Sequence, residues 1–306
     1  MRRFFLTFFA EVSLAACLST PAWATTQCPE HFAGGVAPTV TNPKLQARLQ
    51  EICFEAFAVL HSGISRTPMY SAEHLLRSNL DAAKTLSRKD AFHPESALPA
   101  SDRAEFKDYA RSEYDRGHMA PSPDFATRSA QAESFSLANM VPQVHANNAG
   151  VWAGVENAVR QLATREGELY VVTGPAFIGN NIKQIGRVLV PTHIWKVVYS
   201  PVQQRAGAYL ITNDKTRAYS AVTVSDLEKM VGIELLPGLS QQIRDSGMDL
   251  PKPNSARGKK SRSKKGQPAD VEAGVGSGAG AGVEEEFTLK EFSRSILDAI
   301  GRPSNR

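Results

Sequence analysis

The chain has 306 residues, 42% of them apolar and 22% charged, with three cysteines and a formal net charge of +4. That length accommodates one large domain or two ordinary ones, and the balance excludes a polytopic membrane protein and a wholly disordered chain. Three cysteines without a Cys-x-x-Cys pair exclude a disulfide-dense miniature and give no zinc-ribbon signal.

At the N-terminus, Arg2 and Arg3 precede a mostly apolar stretch from Phe4 to Ala16. Ala22-Trp23-Ala24 then places small residues where a signal peptidase reads. Residues 1–24 are expected to be an export signal, which makes the protein periplasmic or secreted. An alternative is lipoprotein processing, because Leu14-Ala15-Ala16-Cys17 resembles that box and would leave Cys17 lipidated. Cleavage after Ala24 leaves Cys28 and Cys53, and an even pair in an oxidising compartment predicts one disulfide rather than two buried thiols. No later run reaches the roughly 18 apolar residues of a membrane helix. No membrane contact is therefore expected after cleavage unless Cys17 carries lipid.

Lys44 to Leu60 carries Leu45, Leu49, Ile52, Cys53, Ala56 and Val59 at helical spacing, which predicts a helix. Pro68 to Leu76 reads as a strand and turn, and Phe106 to Tyr109 leads into a short polar segment. Leu169–Val172, Arg187–Val190, His193–Tyr199 and Ala208–Thr212 are rich in Val, Ile, Tyr and Trp and read as strands. Thr173-Gly174-Pro175 and Thr212-Asn213-Asp214 supply turn residues after two of them. Ser225 to Val231 predicts a short helix, with Ser225 as N-cap and Glu228 completing a capping box. The class is α+β.

Beyond residue 250 the composition changes. Arg257 to Lys265 holds six positive residues in nine and no acid, and a glycine-rich stretch follows it. Residues 251–283 are expected to be a flexible basic linker, serving either as a polyanion-binding arm or as a solubilising segment. Those six charges exceed the net +4, so the rest of the chain is slightly acidic and is not a globally basic nucleic-acid binder. Residues 284–306 regain helical periodicity through Phe287, Phe292, Ile296 and Ile300. They predict a terminal helix that docks on the domain or on a second subunit.

The chemistry concentrates between Asp115 and Arg160. Asp115-Arg116-Gly117-His118 sets a proton acceptor beside an anion-binding group and an acid. Asn148, Trp152, Glu156 and Arg160 recur every four residues, so on a helix they form one slowly drifting stripe. A carboxamide and a carboxylate are hard oxygen ligands of the kind Mg²⁺ accepts alongside waters, and a guanidinium is a bidentate phosphate partner. The same stripe also suits a surface helix with a Glu156–Arg160 ion pair and a half-buried tryptophan.

Taken together, Asp115-Arg116-Gly117-His118, Asn139, Pro142-Gln143 and the Asn148–Trp152–Glu156–Arg160 series closely resemble the DNA/RNA non-specific endonucleases of the ββα-metal (His-Me finger) superfamily. The likeness spans roughly residues 65–235 and extends to Thr173-Gly174-Pro175, Val190 to His193, Trp195, Lys196 and the Tyr70 region. It implies a ββα-metal nuclease fold, with a mostly antiparallel central sheet flanked by helices. It also implies a nuclease domain over 65–250, while the expected Cys28–Cys53 bridge makes 25–64 a disulfide-linked extension outside the likeness. His118 is then the general base and Asn148 the ligand of Mg²⁺, for which Mn²⁺ can substitute. Glu156 holds a metal-bound water, Arg116 and Arg160 clamp phosphate, and Asn139 and Gln143 orient metal waters or the loop carrying Asn148. Asp115, Gly117 and Trp152 are structural. The resemblance further implies 5′-phosphate products and, often, a homodimer.

Every group aimed at substrate in this reading meets phosphate, which predicts sequence-tolerant action on double- and single-stranded DNA and RNA. Two competing readings are a phosphodiesterase with a narrower substrate and a catalytically degenerate nucleic-acid-binding protein.

Overall fold

The structure is a computed structural model that describes residues 26–253 apart from Arg217. The export signal, Cys17, the basic run and the terminal helix expected from the sequence lie outside the described residues. Among the described residues, no helix is long and apolar enough to cross a membrane.

Seven strands form one antiparallel sheet. In chain order they are β1 (Leu49–Cys53), β2 (Phe57–Ser62), β3 (Thr67–Leu76), β6 (Glu168–Ala176), β7 (His193–Ser200), β8 (Arg205–Thr212) and β9 (Tyr219–Val222). Across the sheet the order is β9-β8-β7-β6-β3-β2-β1. Strands β4 (Tyr114–His118) and β5 (Met140–Val144) make a separate antiparallel hairpin. The main helices are α1 (Arg77–Ala83), α2 (Arg128–Glu133), α3 (Ala153–Glu166) and α4 (Val224–Val231).

Both faces of the sheet are covered, which is why its strands read as nearly continuous apolar runs. Alternation divides the side chains between two cores. Tyr70, Ala72, Val172, Trp195, Val197 and Leu210 face α4 and the N-terminal segment. Leu75, Leu169, Val171, Ile194, Val198 and Ile211 face Trp152, Val155, Val159 and Leu162 of the α3 region. Strands β3 and β6 are neighbours, so residues 77–167 form one excursion from the sheet. That excursion contains the hairpin and α3.

Four local expectations are corrected. The helix expected over Lys44–Leu60 is instead a short 3₁₀ turn at Pro43–Leu45 followed by β1 and β2. Phe57, Ala58 and Val59 are consecutive and wholly buried, which a sheet covered on both faces permits. Residues 49–62 of the 25–64 extension accordingly belong to the same sheet, paired strand by strand up to β3. Thr173-Gly174-Pro175 is not a turn but the last part of β6. Gly174 lies opposite Trp195, and a Cβ there would strike both the indole and the Met69 carbonyl. Pro175 is tolerated because β3 pairing stops at Thr173. Finally, Thr223 rather than Ser225 caps α4, accepting from Asp226 N, while the Glu228 carboxylate accepts from Leu235 N.

Cys28 and Cys53 form a disulfide with a sequence separation of 25, fastening the first described residues to β1. Strand Arg187–Val190 shortens to Val188–Leu189, paired with Gln184–Ile185 outside the main sheet. Replacing both bridged cysteines by serine should lower the unfolding free energy by about 2–4 kcal/mol. Denaturant titration measures this, and unchanged stability would show that the bridge contributes nothing to the fold.

Candidate active site

His118 ends β4, opposite Met140, and alternation puts Arg116 and His118 on one side of the hairpin. That side is lined with aromatic rings. The Phe135 ring meets the imidazole edge-on at 4.9 Å, and Phe92 is tilted at 5.8 Å. The Arg116 guanidinium lies 4.1 Å from the Phe92 ring centre, and Arg88 lies 5.2 Å from that of Phe135. His118 is 9% exposed, and its buried Nε2 has no hydrogen-bond partner. Burial, assisted by the Arg88 charge and opposed by Asp90, pulls the imidazole pKa down from 6.5 to about 3. The ring is therefore neutral throughout the physiological range, with one nitrogen left over for a reacting proton.

The turn after His118 is held by Asn139. Its backbone carbonyl accepts from Met119 N, and its side-chain oxygen accepts from Ala120 N and Ser71 Oγ. Its Nδ2 donates to the Ala120 and Ser134 carbonyls. These bonds direct the fully buried Asn139 amide to the His118 turn rather than to metal waters or to the Asn148 loop.

Gln143, on β5, donates to Asn147 Oδ1 at 2.8 Å, and Asn147 donates to the Thr212 carbonyl. Gln143 thus fastens the residue preceding Asn148. Gly117 is needed here because a Cβ would overlap the Gln143 side chain.

Asn148 to Trp152 is a wide π-type turn with non-helical dihedrals at Gly150, and the α-helix proper begins at Ala153. The four-residue stripe is therefore interrupted at its first member. Asn148 donates through Nδ2 to Asp115 Oδ2 at 2.9 Å, and His145 Nδ1 lies 2.8 Å from that same oxygen. Asp115 consequently ties the hairpin to the helix entry and fixes the orientation of the Asn148 carboxamide.

Beneath Trp152, Glu156 and Arg160 is a cluster that pattern reading did not find. Ser71, Thr173 and Lys196 are register partners on three adjacent strands, facing α3. The nearly fully buried Lys196 donates to Thr173 Oγ1 at 2.7 Å and to the Met119 carbonyl at 3.4 Å. Its Nζ lies 3.8 Å from Glu73 Oε1 and 5.5 Å from the Trp152 ring centre. Arg160 donates to Asp124 at 2.8 Å, leaving its side chain 21% exposed. Burial first, then the charges of Asp124 and Glu156, push the Glu73 carboxyl upward against Lys196 and Arg160. Glu156 is also raised, again chiefly by burial. The available signal was a lone charge inside each of two otherwise apolar strands.

The donor set fits a hard divalent cation. Asp115 occupies the Asn148 nitrogen, leaving the carboxamide oxygen as a neutral hard ligand beside a carboxylate. Among the described residues, the group of three His, Cys, Asp or Glu side chains close enough to share an ion is Cys28, Glu51 and Cys53. Its two sulfurs are spent on the disulfide, so that group is no ion site.

A histidine-ended hairpin facing a helix on an antiparallel sheet defines a ββα-metal nuclease fold. A family model described as DNA/RNA non-specific endonuclease matches residues 37–242, and the chain belongs to that family. It is 33% identical over 231 residues to a nuclease of Nostoc sp., covering 69% of this chain and 81% of that one. Identity to the mitochondrial nuclease EXOG of Danio rerio is 33% over 199 residues, covering 58% of each chain. Nuclease C1 of Cunninghamella echinulata var. echinulata is 31% identical over 201 residues, covering 58% of this chain and 79% of that one. A crystal structure of an EndoG/EndoGI complex shares the fold with a TM-score of 0.55 at 24% identity, covering 63% of this chain and 88% of that chain.

Two measurements test the site's electrostatics. The His118 ring should stay unprotonated by NMR down to below about pH 5, whereas a midpoint near 6.5 would show that the aromatic enclosure is open. Because the folded pKa is depressed below the unfolded 6.5, this histidine's contribution to stability is present above 6.5 and lost as pH falls toward 3. Lys196→Met should destabilise by about 3–5 kcal/mol by stranding Glu73, and adding Glu73→Gln should recover part of that loss. Additive losses in thermal or denaturant unfolding would refute the coupling.

Proposed function

We propose that the chain is an exported, Mg²⁺-dependent nuclease that hydrolyses phosphodiester bonds in DNA and RNA without sequence preference, leaving 5′-phosphates. The observation that carries this reading is the buried, unpartnered His118 Nε2 on the same side of the hairpin as Arg116. Family membership and nuclease-named relatives support it.

His118 accepts the proton of the attacking water at Nε2. Its isolated basicity is low, and the approach of an anionic phosphate raises it by favouring the imidazolium. Arg116 presents a planar fork to the phosphate oxygens, and the exposed edge of Arg160 adds a second positive contact. Asn148, oriented by Asp115, would hold the ion, and Glu156 would hold one of its waters. Lewis-acid stabilisation of charge on the phosphoryl and leaving oxygens is what the ion supplies when bound. Lys196 and Asn139 keep the His118 turn from shifting as charge develops.

The Cys28–Cys53 bridge supports an oxidising destination, in keeping with export of the chain past residue 24. A homodimer is part of the same reading.

Plasmid nicking by protein beginning at Thr25 should require Mg²⁺ and stop with EDTA. His118→Ala should reduce kcat/KM by about 10²- to 10⁴-fold with the fold retained. Titration calorimetry should show Asn148→Ala weakening Mg²⁺ more than Glu156→Gln does. A His118→Ala variant retaining more than about a tenth of the wild-type rate would remove the general base from this scheme.

A further inference from the structure

Beside the catalytic residues is a cavity of about 470 Å³, bounded by α1 and the segment after it, the Ser122-Pro123 turn, α2 and the outer face of α3. That volume lies within the roughly 300–1,000 Å³ of small-molecule sites. Arg88 and Arg160 belong to its wall, so it adjoins both the His118 enclosure and the Glu156 side of α3. The wall contains three cations, Lys84, Arg88 and Arg160, and no carboxylate. Their acidic partners, Asp81, Asp90 and Asp124, stand outside it. Asn157 and Gln161 project from exposed positions on α3, and Leu80, Leu86 and Pro123 give an apolar side.

An apolar side, amides that can both donate and accept, and cations at the rim match one chemical unit. That unit is a nucleobase attached to a phosphodiester chain. A double-stranded segment cannot place a paired base in such a recess, whereas an unpaired one can enter it.

We propose that this cavity is a subsite for one unpaired base of the substrate strand, next to the phosphate being cleaved. The inference rests on the nuclease reading above. It makes the enzyme favour single-stranded or locally opened nucleic acid, and it binds the substrate through a base face rather than through base identity.

The test fills the cavity from its exposed wall, with Gln161→Trp and, independently, Asn157→Trp, neither of which belongs to the catalytic set. Each variant and the wild type are assayed on bis(p-nitrophenyl) phosphate and on a single-stranded oligonucleotide with one cleavable linkage. The same oligonucleotide lacking the base on either side of that linkage completes the set. Filling the cavity should lower kcat/KM on the intact oligonucleotide by about tenfold or more, with small-diester hydrolysis unchanged. Removing the adjacent base on one side should cost the wild type a similar factor and the filled variants almost nothing. Equal losses on both substrates, or full sensitivity of the filled variants to base removal, would overturn the subsite. Failure of the wild type to cleave any of these substrates would instead overturn the nuclease reading beneath it.

Discussion

Lys196 is the point on which the rest of the molecule turns. An ammonium group taken out of water is tolerated only where its charge and its hydrogen atoms are accounted for. Here Glu73 answers the charge, while Thr173 and the Met119 carbonyl take hydrogen bonds. One side chain thereby joins three strands to the residue following His118. The surrounding cluster has three acids, Glu73, Asp124 and Glu156, against the two bases Lys196 and Arg160. Burial first, and the neighbouring charges after it, push Glu73 and Glu156 upward.

The site's precision comes from residues that never need to meet substrate. Asn139 locks the turn behind His118, Gln143 fastens Asn147, and Asp115 turns the Asn148 amide. Each is a short polar tie between the hairpin and a neighbouring element, and all sit on regular structure rather than on long loops. That arrangement keeps the reacting groups within the tight tolerance that catalysis demands.

The parts of this design that are local in the chain could be read directly. Asp115 to His118 is contiguous, and Glu156 and Arg160 keep their helical interval in α3, just after Trp152. What depends on sheet register could not be read: nothing in one sequence says that Thr173 pairs with Lys196, or that Phe92 and Phe135 close over His118. Tertiary context also reversed two local signals. The helical spacing of Lys44–Leu60 gave way to pairing with β3, and the turn-like Thr173-Gly174-Pro175 stays extended because Gly174 makes room for Trp195. The π-type turn at Gly150 shows why spacing alone overstates regularity, since it diverts Asn148 from the helical stripe toward Asp115.

The excursion between β3 and β6 has a consequence for the order in which the chain is made. All the residues proposed to handle the phosphate leave the ribosome before β6, yet the excursion is closed only when β6 pairs with β3. Lys196 emerges later still, on β7. Closing so long a loop costs entropy before its contacts repay it. A growing chain therefore holds all the side chains proposed to act on phosphate with no scaffold to align them. Alignment arrives late and all at once, with the strands that close the excursion.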